Sequence, residues 1–167
     1  MTDLTKVIIL GSQGMVGQAI DFGIKLNHQE CDITNPESIR ETCDRYDPSA
    51  ILSLASIDLR VCEEDPVKAY KVNALGVLNL AREAKRRDIP IITITSGAMF
   101  SGSPEKNFTE EDTPDSLNIY GQTKHLSEIL VQQTTDNHII IRTGWLYGGN
   151  PGARLSLGLC SNNRLST

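Results

Sequence analysis

The chain has 167 residues, of which 39% are hydrophobic and 22% charged, with a formal net charge of −5. That length suffices for one domain with a real core but not for two, and the acidic balance excludes a nucleic-acid surface, which needs clustered positive charge. No apolar run approaches a membrane span and the N-terminal run is too short for a signal peptide, so the cytosol is the expected compartment.

In chain order, the first strand is expected at 6–10, "KVIIL". Directly after it comes "GSQGMVG", with Gly11, Gly14 and Gly17 spaced GxxGxxG and a helical pattern starting at Met15. Small residues there let the backbone turn tightly and approach a pyrophosphate, which then rests on free N–H groups at a helix N-terminus. Gly11, Gln13, Gly14, Met15, Val16 and Gly17 are therefore the candidate cofactor cradle. The competing reading is three glycines that serve only turns and helix packing. The stretch "QAIDFGIKLNHQE" that follows is too short for a full helix, turn and strand, so strand two is expected to be abbreviated or absent. Glu30 and Asp32 fall near the distance at which an acid grips an adenosine ribose, and Lys25 is a candidate partner for a 2′-phosphate.

A helix follows at "NPESIRETCDRY", opened by Asn35 and Pro36, then a strand at 50–54. The next helix, 66–87, starts with a cap at Asp65 and Pro66 at its first position. It closes on "KRRD", whose cations suit a helix C-terminus. A buried strand at 89–95 leads into residues 96–117, a connection rich in Gly, Ser, Pro and acids whose length points to function. A helix at 119–134 and a buried strand, "HIIIR", complete the pattern. This alternation predicts an α/β fold, a Rossmann-like doubly wound parallel sheet with helices on both faces and its ligand crevice at the carboxyl ends of the strands. Four cysteines without a CxxC pair and three histidines without ligand spacing suggest neither a disulfide framework nor a metal.

Within "NIYGQTKHLSE" the helix sets Tyr120 and Lys124 four residues apart on one face, separated by a rise of roughly 6 Å. A fixed ammonium beside a phenol favours the phenolate, and a tyrosine so tuned can pass a proton to or from a substrate oxygen. The spacing alone fits a surface pair as well.

Three features in order, the glycine turn after strand one, Ser96 at the end of a buried strand and Tyr120-x-x-x-Lys124 on the next helix, resemble the extended short-chain dehydrogenase/reductases. The phrases "CDITNPESI", "CEEDPVKAYKVNALGVLNLA", "FSG" and "FTEEDTPDSLNIYGQTK" are similar to the dTDP-4-dehydrorhamnose reductase family. The resemblance implies an NADP(H)- or NAD(H)-dependent reduction of a nucleotide-linked 4-keto-6-deoxysugar. Tyr120 would protonate the C4 oxygen, Lys124 would lower the tyrosine's pKa and hold the nicotinamide ribose, and Ser96 would hydrogen-bond the substrate oxygen. Asp32 and Ile33 stand where the family contacts adenine, and Ala55 stands near the diphosphate and ribose path. Gly97 and Ala98 replace an acid and an aromatic on the substrate side, Ser53 stands near an expected asparagine, and the loop "SIDLRV" is one residue short. The family continues into a small sugar-binding domain, so the expected division is a dinucleotide-binding unit at 1–148 and a tail at 149–167, the remnant of a missing substrate domain. A homodimer through helices 66–87 and 119–134, or a partner subunit completing the cleft, would follow. A catalytically weak NADP-binding regulatory homologue and a nucleotide-sugar epimerase are the alternatives.

Overall fold

A computed structural model of the protein describes residues 2–102 and 108–146. The expected tail at 149–167 and the last two residues of the expected 1–148 unit lie outside them. After a 3-10 turn at Leu4–Lys6 come β1 (Val7–Leu10), α1 (Met15–Ala19), β2 (Ile24–Leu26), α2 (Pro36–Tyr46), β3 (Ala50–Ser53) and α3 (Leu59–Glu64). Then follow α4 (Pro66–Ala69), a π-helical stretch (Tyr70–Gly76), α5 (Val77–Arg87), β4 (Ile91–Ser96), a 3-10 turn (Gly97–Met99), α6 (Ile119–Thr134) and β5 (His138–Thr143).

The five strands form one parallel sheet in the order β2-β1-β3-β4-β5. Strand two is present in abbreviated form, three residues long. The chain leaves β1 toward one side and returns to β3 on the other, so the order reverses between β1 and β3. In open α/β sheets that reversal marks the ligand crevice.

Helices lie on both faces, unevenly. One face carries the larger core, where Ile8, Leu10, Leu26 and Ile51 pack against Ile39 and Cys43 of α2, Leu80 and Ala81 of α5 and Val131 of α6. On the other, Val7, Ile9 and Ala50 meet Ile20 at the end of the short α1. "HIIIR" therefore does not form the buried strand expected. Among the described residues it is the edge strand β5, with Ile139 55% and Ile141 43% exposed on the face they share with Ile92 and Ile94.

Helix boundaries follow local chemistry. Asn35 accepts from the N–H of Glu37 with Pro36 at the first position of α2, and the helix ends at Asp47 in the left-handed region. The expected helix 66–87 does begin at Pro66, capped by Asp65, and ends at Asp88 after three basic residues. Its middle departs from α geometry over Tyr70–Gly76. The "SIDLRV" segment, expected as loop, holds α3: Asp58 accepts from the N–H of Val61 at 3.0 Å, and Arg60 pairs with Glu64 one turn on. Among the described residues no helix is long and apolar enough to cross a membrane.

Candidate active site

The carboxyl ends of β1, β3 and β4 set Gly11, Ala55 and Ser96 along one edge of the sheet, neighbouring strands being about 5 Å apart. Gly11 turns the chain out of β1 at φ +82°, and a Cβ there would stand 2.6–2.8 Å from the Leu54–Ala55 backbone. Conformation and contact both demand glycine. Gly17 is fixed by packing, because a Cβ would fall 2.6–2.7 Å from the backbone of Ser12. Gly14 differs: its φ is −69°, it opens α1 with no side-chain cap, and the nearest atom to a Cβ is the Gly11 carbonyl at 3.3 Å. The fold tolerates a small side chain at 14 with a slight shift, whereas a ligand resting on the first-turn N–H groups would not. Gln13 and Gly14 are exposed and Met15 and Val16 half-buried around this turn.

Beyond β2, Asp32 is exposed, and its carboxylate accepts from the N–H and the hydroxyl of Thr34, each at 2.8 Å. Ile33 is carried into the core against Gly76, where a Cβ would meet its side chain at 2.7 Å. Of the two residues expected at the adenine, only Asp32 therefore offers its side chain to solvent. Lys25 is exposed in the middle of β2. Ser53 ends β3 buried, with no partner for its hydroxyl among the described residues. A dry, unpaired hydroxyl is a standing penalty, so Ser53→Ala is expected to raise stability by up to about 1 kcal/mol in urea unfolding. A loss of that size would mean the hydroxyl is paired.

The helix of Tyr120 is held at its start by two side chains. Asn118 accepts from the N–H of Gly121 at 2.7 Å, and Glu63 of α3 reaches across to accept from that of Ile119 at 2.7 Å. Gly121 is a close-approach glycine, since a Cβ would lie 2.1 Å from Ser116 Oγ and 2.2 Å from the Ala98 carbonyl oxygen. This contact clamps the turn after β4 onto the first turn of α6, and thereby Ser96 onto Tyr120. Gly121→Ala should destabilise by about 1–3 kcal/mol through overpacking. Gly97→Ala, whose Cβ would have only the Thr143 carbonyl oxygen at 3.6 Å, should be nearly neutral. Equal urea midpoints for the two variants would contradict the clamp.

Ser96 Oγ accepts from the N–H of Ala98 at 3.2 Å, which leaves its own proton for another acceptor. The Ser96 and Ser56 hydroxyls are near enough to the Tyr120 phenol to favour its ionised form. Lys124 is 5% exposed, with its Nζ 5.9 Å from the centre of the Tyr120 ring. The structure thus unites Ser96, Tyr120 and Lys124. It reverses one expectation: burial raises the Tyr120 pKa, the two serine hydroxyls opposing it only in part. Burial also brings Lys124 down to about 8. The ammonium stands over the ring, and both groups are withdrawn from water, which penalises each charged form. Tyr120 is accordingly a neutral phenol at pH 7, the form that donates a proton.

Several residues around this centre carried no signal in the sequence. Asn73, fully buried in the π-helical stretch, accepts from Ile57 N–H at 2.9 Å and donates to Thr123 Oγ1 at 3.2 Å and Cys62 Sγ at 3.4 Å. It joins β3's exit loop, α3 and α6 from positions as far as 50 residues apart. Beneath Ser96, Thr95 donates to Glu128 at 2.5 Å, and Arg142 of β5 grips the same carboxylate with bonds of 2.7–3.1 Å. Among the described residues no cluster of three His, Cys, Asp or Glu is placed to hold a metal ion.

The fold and site together define an α/β protein of the Rossmann type, with a glycine turn at the switch point of its sheet and a Ser–Tyr–Lys cluster beside it. More narrowly, the chain belongs to the family described as RmlD substrate binding domain, whose model matches residues 5–157. It is 31% identical to the spore coat polysaccharide biosynthesis protein SpsK of Bacillus subtilis, over 87% of this chain and 54% of that one. A solved dTDP-4-dehydrorhamnose reductase from Clostridium acetobutylicum is similar at a TM-score of 0.81 and 31% identity, covering 86% of this chain and 55% of that one. One from Bacillus anthracis, in complex with NADP, is similar at 0.82 and 25% identity, covering 90% and 57%. The chain spans about half the length of the relatives it matches.

Proposed function

We propose that this chain is the dinucleotide-binding part of an NADP(H)- or NAD(H)-dependent oxidoreductase of the short-chain dehydrogenase/reductase type, which reduces a nucleotide-linked 4-keto-6-deoxysugar in the cytosol. The carrying observation is the neutral Tyr120 phenol, near the Ser96 hydroxyl and with buried Lys124 over its ring, separated by β3 from the glycine turn after β1. The relative solved with NADP and the relatives named dTDP-4-dehydrorhamnose reductase support the choice of cofactor and substrate.

On this reading, Gly11, Gln13, Gly14, Met15, Val16 and Gly17 would cradle the diphosphate. Asp32 and Ile33 would lie toward the adenine and Ala55 beneath the ribose path. When bound, the dinucleotide supplies hydride to the carbonyl carbon. Ser96, whose proton is left free by Ala98, donates to the substrate oxygen and favours the negative charge that develops there. Tyr120 delivers its proton to that oxygen. Lys124, still largely protonated at pH 7, stabilises the phenolate left behind and reaches toward the nicotinamide ribose. The nucleotide sugar would need contacts beyond residues 1–148.

The test is NADPH oxidation with a dTDP-4-keto-6-deoxysugar, run beside a calorimetric titration of NADPH and NADH. Turnover supports the proposal. Binding without turnover would instead favour a catalytically weak regulatory homologue, and no binding would remove the cradle reading.

A further inference from the structure

We infer that Glu30 sets the cofactor preference of the site: its carboxylate, folded back onto the carboxyl end of β2, accepts from the adenosine ribose and disfavours a 2′-phosphate, so that the chain takes NADH in preference to NADPH. The inference rests on the dinucleotide reading proposed above.

In a sheet of this kind the adenosine ribose lies where β2 ends, beside the glycine turn, and a carboxylate at that point selects the dinucleotide without a 2′-phosphate. β2 runs parallel to β1 with Leu26 opposite Leu10, and the Ser12 N–H of the glycine turn donates to the Leu26 carbonyl at 3.4 Å. The end of β2 is thereby fastened to the cradle. The next residue, Asn27, is not an acid, and its side chain is occupied by the turn that follows: Oδ1 accepts from the N–H of Gln29 at 2.8 Å and from that of Glu30 at 3.2 Å. Its carbonyl accepts from the N–H groups of Glu30 and Cys31 at 3.2 and 3.0 Å. Glu30 returns its own side chain, Oε2 accepting from the Asn27 N–H at 2.8 Å. This reciprocal pairing is of the kind that caps helices. It brings a carboxylate from three residues further along the chain to the first backbone N–H past the strand.

One oxygen of that carboxylate is committed to the turn. Oε1 has no partner among the described residues, and Glu30 is exposed, so a ribose hydroxyl finds an acceptor there. Asp32, the other acid near the expected distance, is turned to the N–H and hydroxyl of Thr34.

Charge decides between the two dinucleotides. From Asn27 to Asn35 the sequence holds Glu30 and Asp32 and no lysine or arginine. Lys25 is exposed, but it pairs with Ile9 inside β2, about 7 Å along the strand from Asn27. A 2′-phosphate at the strand's end would meet a carboxylate with no lysine or arginine in its turn, whereas a 2′-hydroxyl gains a hydrogen bond. Like charges at such a distance, even in water, weaken binding by about 10-fold when one of them is a dianion.

Calorimetric titration of the parent with each reduced cofactor, in the absence of substrate, should therefore show NADH bound about 10-fold or more tightly than NADPH. Glu30→Gln keeps an oxygen for the Asn27 N–H and removes the charge alone, so it should bring the two affinities together, chiefly by tightening NADPH. Lys25→Met should leave their ratio as it is. A second measurement needs no variant: ADP-ribose should bind the parent more tightly than its 2′-phosphorylated form, because the discriminating group meets the adenosine end and not the nicotinamide. Equal or tighter binding of NADPH by the parent would overturn the inference, as would a ratio unmoved by Glu30→Gln, a ratio carried by Lys25, or a preference absent from the ADP-ribose pair. Each of those results leaves the dinucleotide cradle standing. A parent that binds neither cofactor would discard the cradle and the preference together.

Discussion

Tyr120→Phe should lower the rate of carbonyl reduction by about 10²- to 10⁴-fold, the usual loss for one general acid, while leaving NADPH affinity within a factor of two or so. The phenol is the neutral acid of the site, because burial raises its pKa and the opposing contacts from Ser96 and Ser56 do not cancel that. Phenylalanine keeps the ring over which Lys124 stands at 5.9 Å and removes only the transferable proton, so packing and cofactor contacts persist. The effect therefore belongs in kcat, with KM little changed. A second signature comes from Lys124, whose pKa near 8 means that its charge is lost as pH rises past that value. In the parent, reduction should weaken on this alkaline limb as the phenolate loses its stabilising cation. Steady-state rates against pH for the parent, Tyr120→Phe and Tyr70→Phe would check both points. Near-parent turnover in the Tyr120 variant would return the Tyr–Lys pair to the status of a structural contact.

How far the sequence revealed this site depends on the range of the interactions. The glycine turn was legible because Gly11 answers a local demand, a positive φ directly after a strand. That Gly17 is fixed by close packing while a Cβ at Gly14 would meet only the Gly11 carbonyl was not, since the difference lies in which backbone comes near each one. Tyr120 and Lys124 were legible as a pair through helical spacing. The direction of the tyrosine's pKa was not, because desolvation is supplied by α3, the turn after β4 and the π-helical stretch. The widening of the chain at Tyr70–Gly76 also left no mark, as the apolar spacing of "AYKVNALGVLNLA" reads as ordinary helix. Its result, Asn73 turned inward to Thr123 and Ile57, joins residues distant in sequence.

The strands show the same limit. A run of Val, Ile and Leu signals a strand in a parallel sheet, which located β1, β3, β4 and β5. It does not say whether a neighbour covers each face. β5 carries three consecutive isoleucines yet stands, among the described residues, at the sheet's edge with two of them exposed. α3 escaped notice because six residues hold too little periodicity to register, although its Asp58 cap and Arg60–Glu64 pair are visible in retrospect.

Arg142→Ala should be among the most destabilising single changes in the described region, by about 3–5 kcal/mol, because it strands a buried carboxylate. Glu128 has a side chain 3% exposed and depends on Arg142 for three bonds of 2.7–3.1 Å, with Thr95 the other donor at 2.5 Å. Thr95 and Arg142 are register partners across β4 and β5, so one acid on α6 fastens both strands from above. Arg142 also donates to the Glu110 carbonyl at 3.1 Å and lies 5.7 Å from the centre of the Phe100 ring, which stacks on Phe108. The connection between Ser96 and Asn118 is therefore tied to the same guanidinium. Lysine should rescue poorly, since a point charge cannot reproduce the forked contact. Removing both charges with Glu128→Leu and Arg142→Leu should cost less than the sum of the single changes, because no unpaired charge is left buried. Urea unfolding of the singles and the double would measure the coupling. Because Glu128 is one helical turn beyond Lys124 and Thr95 one residue before Ser96, the singles should also loosen the Ser96 hydroxyl. A destabilisation below about 1 kcal/mol for Arg142→Ala, with Ser96-dependent reduction intact, would show that the triad does not hold this edge of the site together.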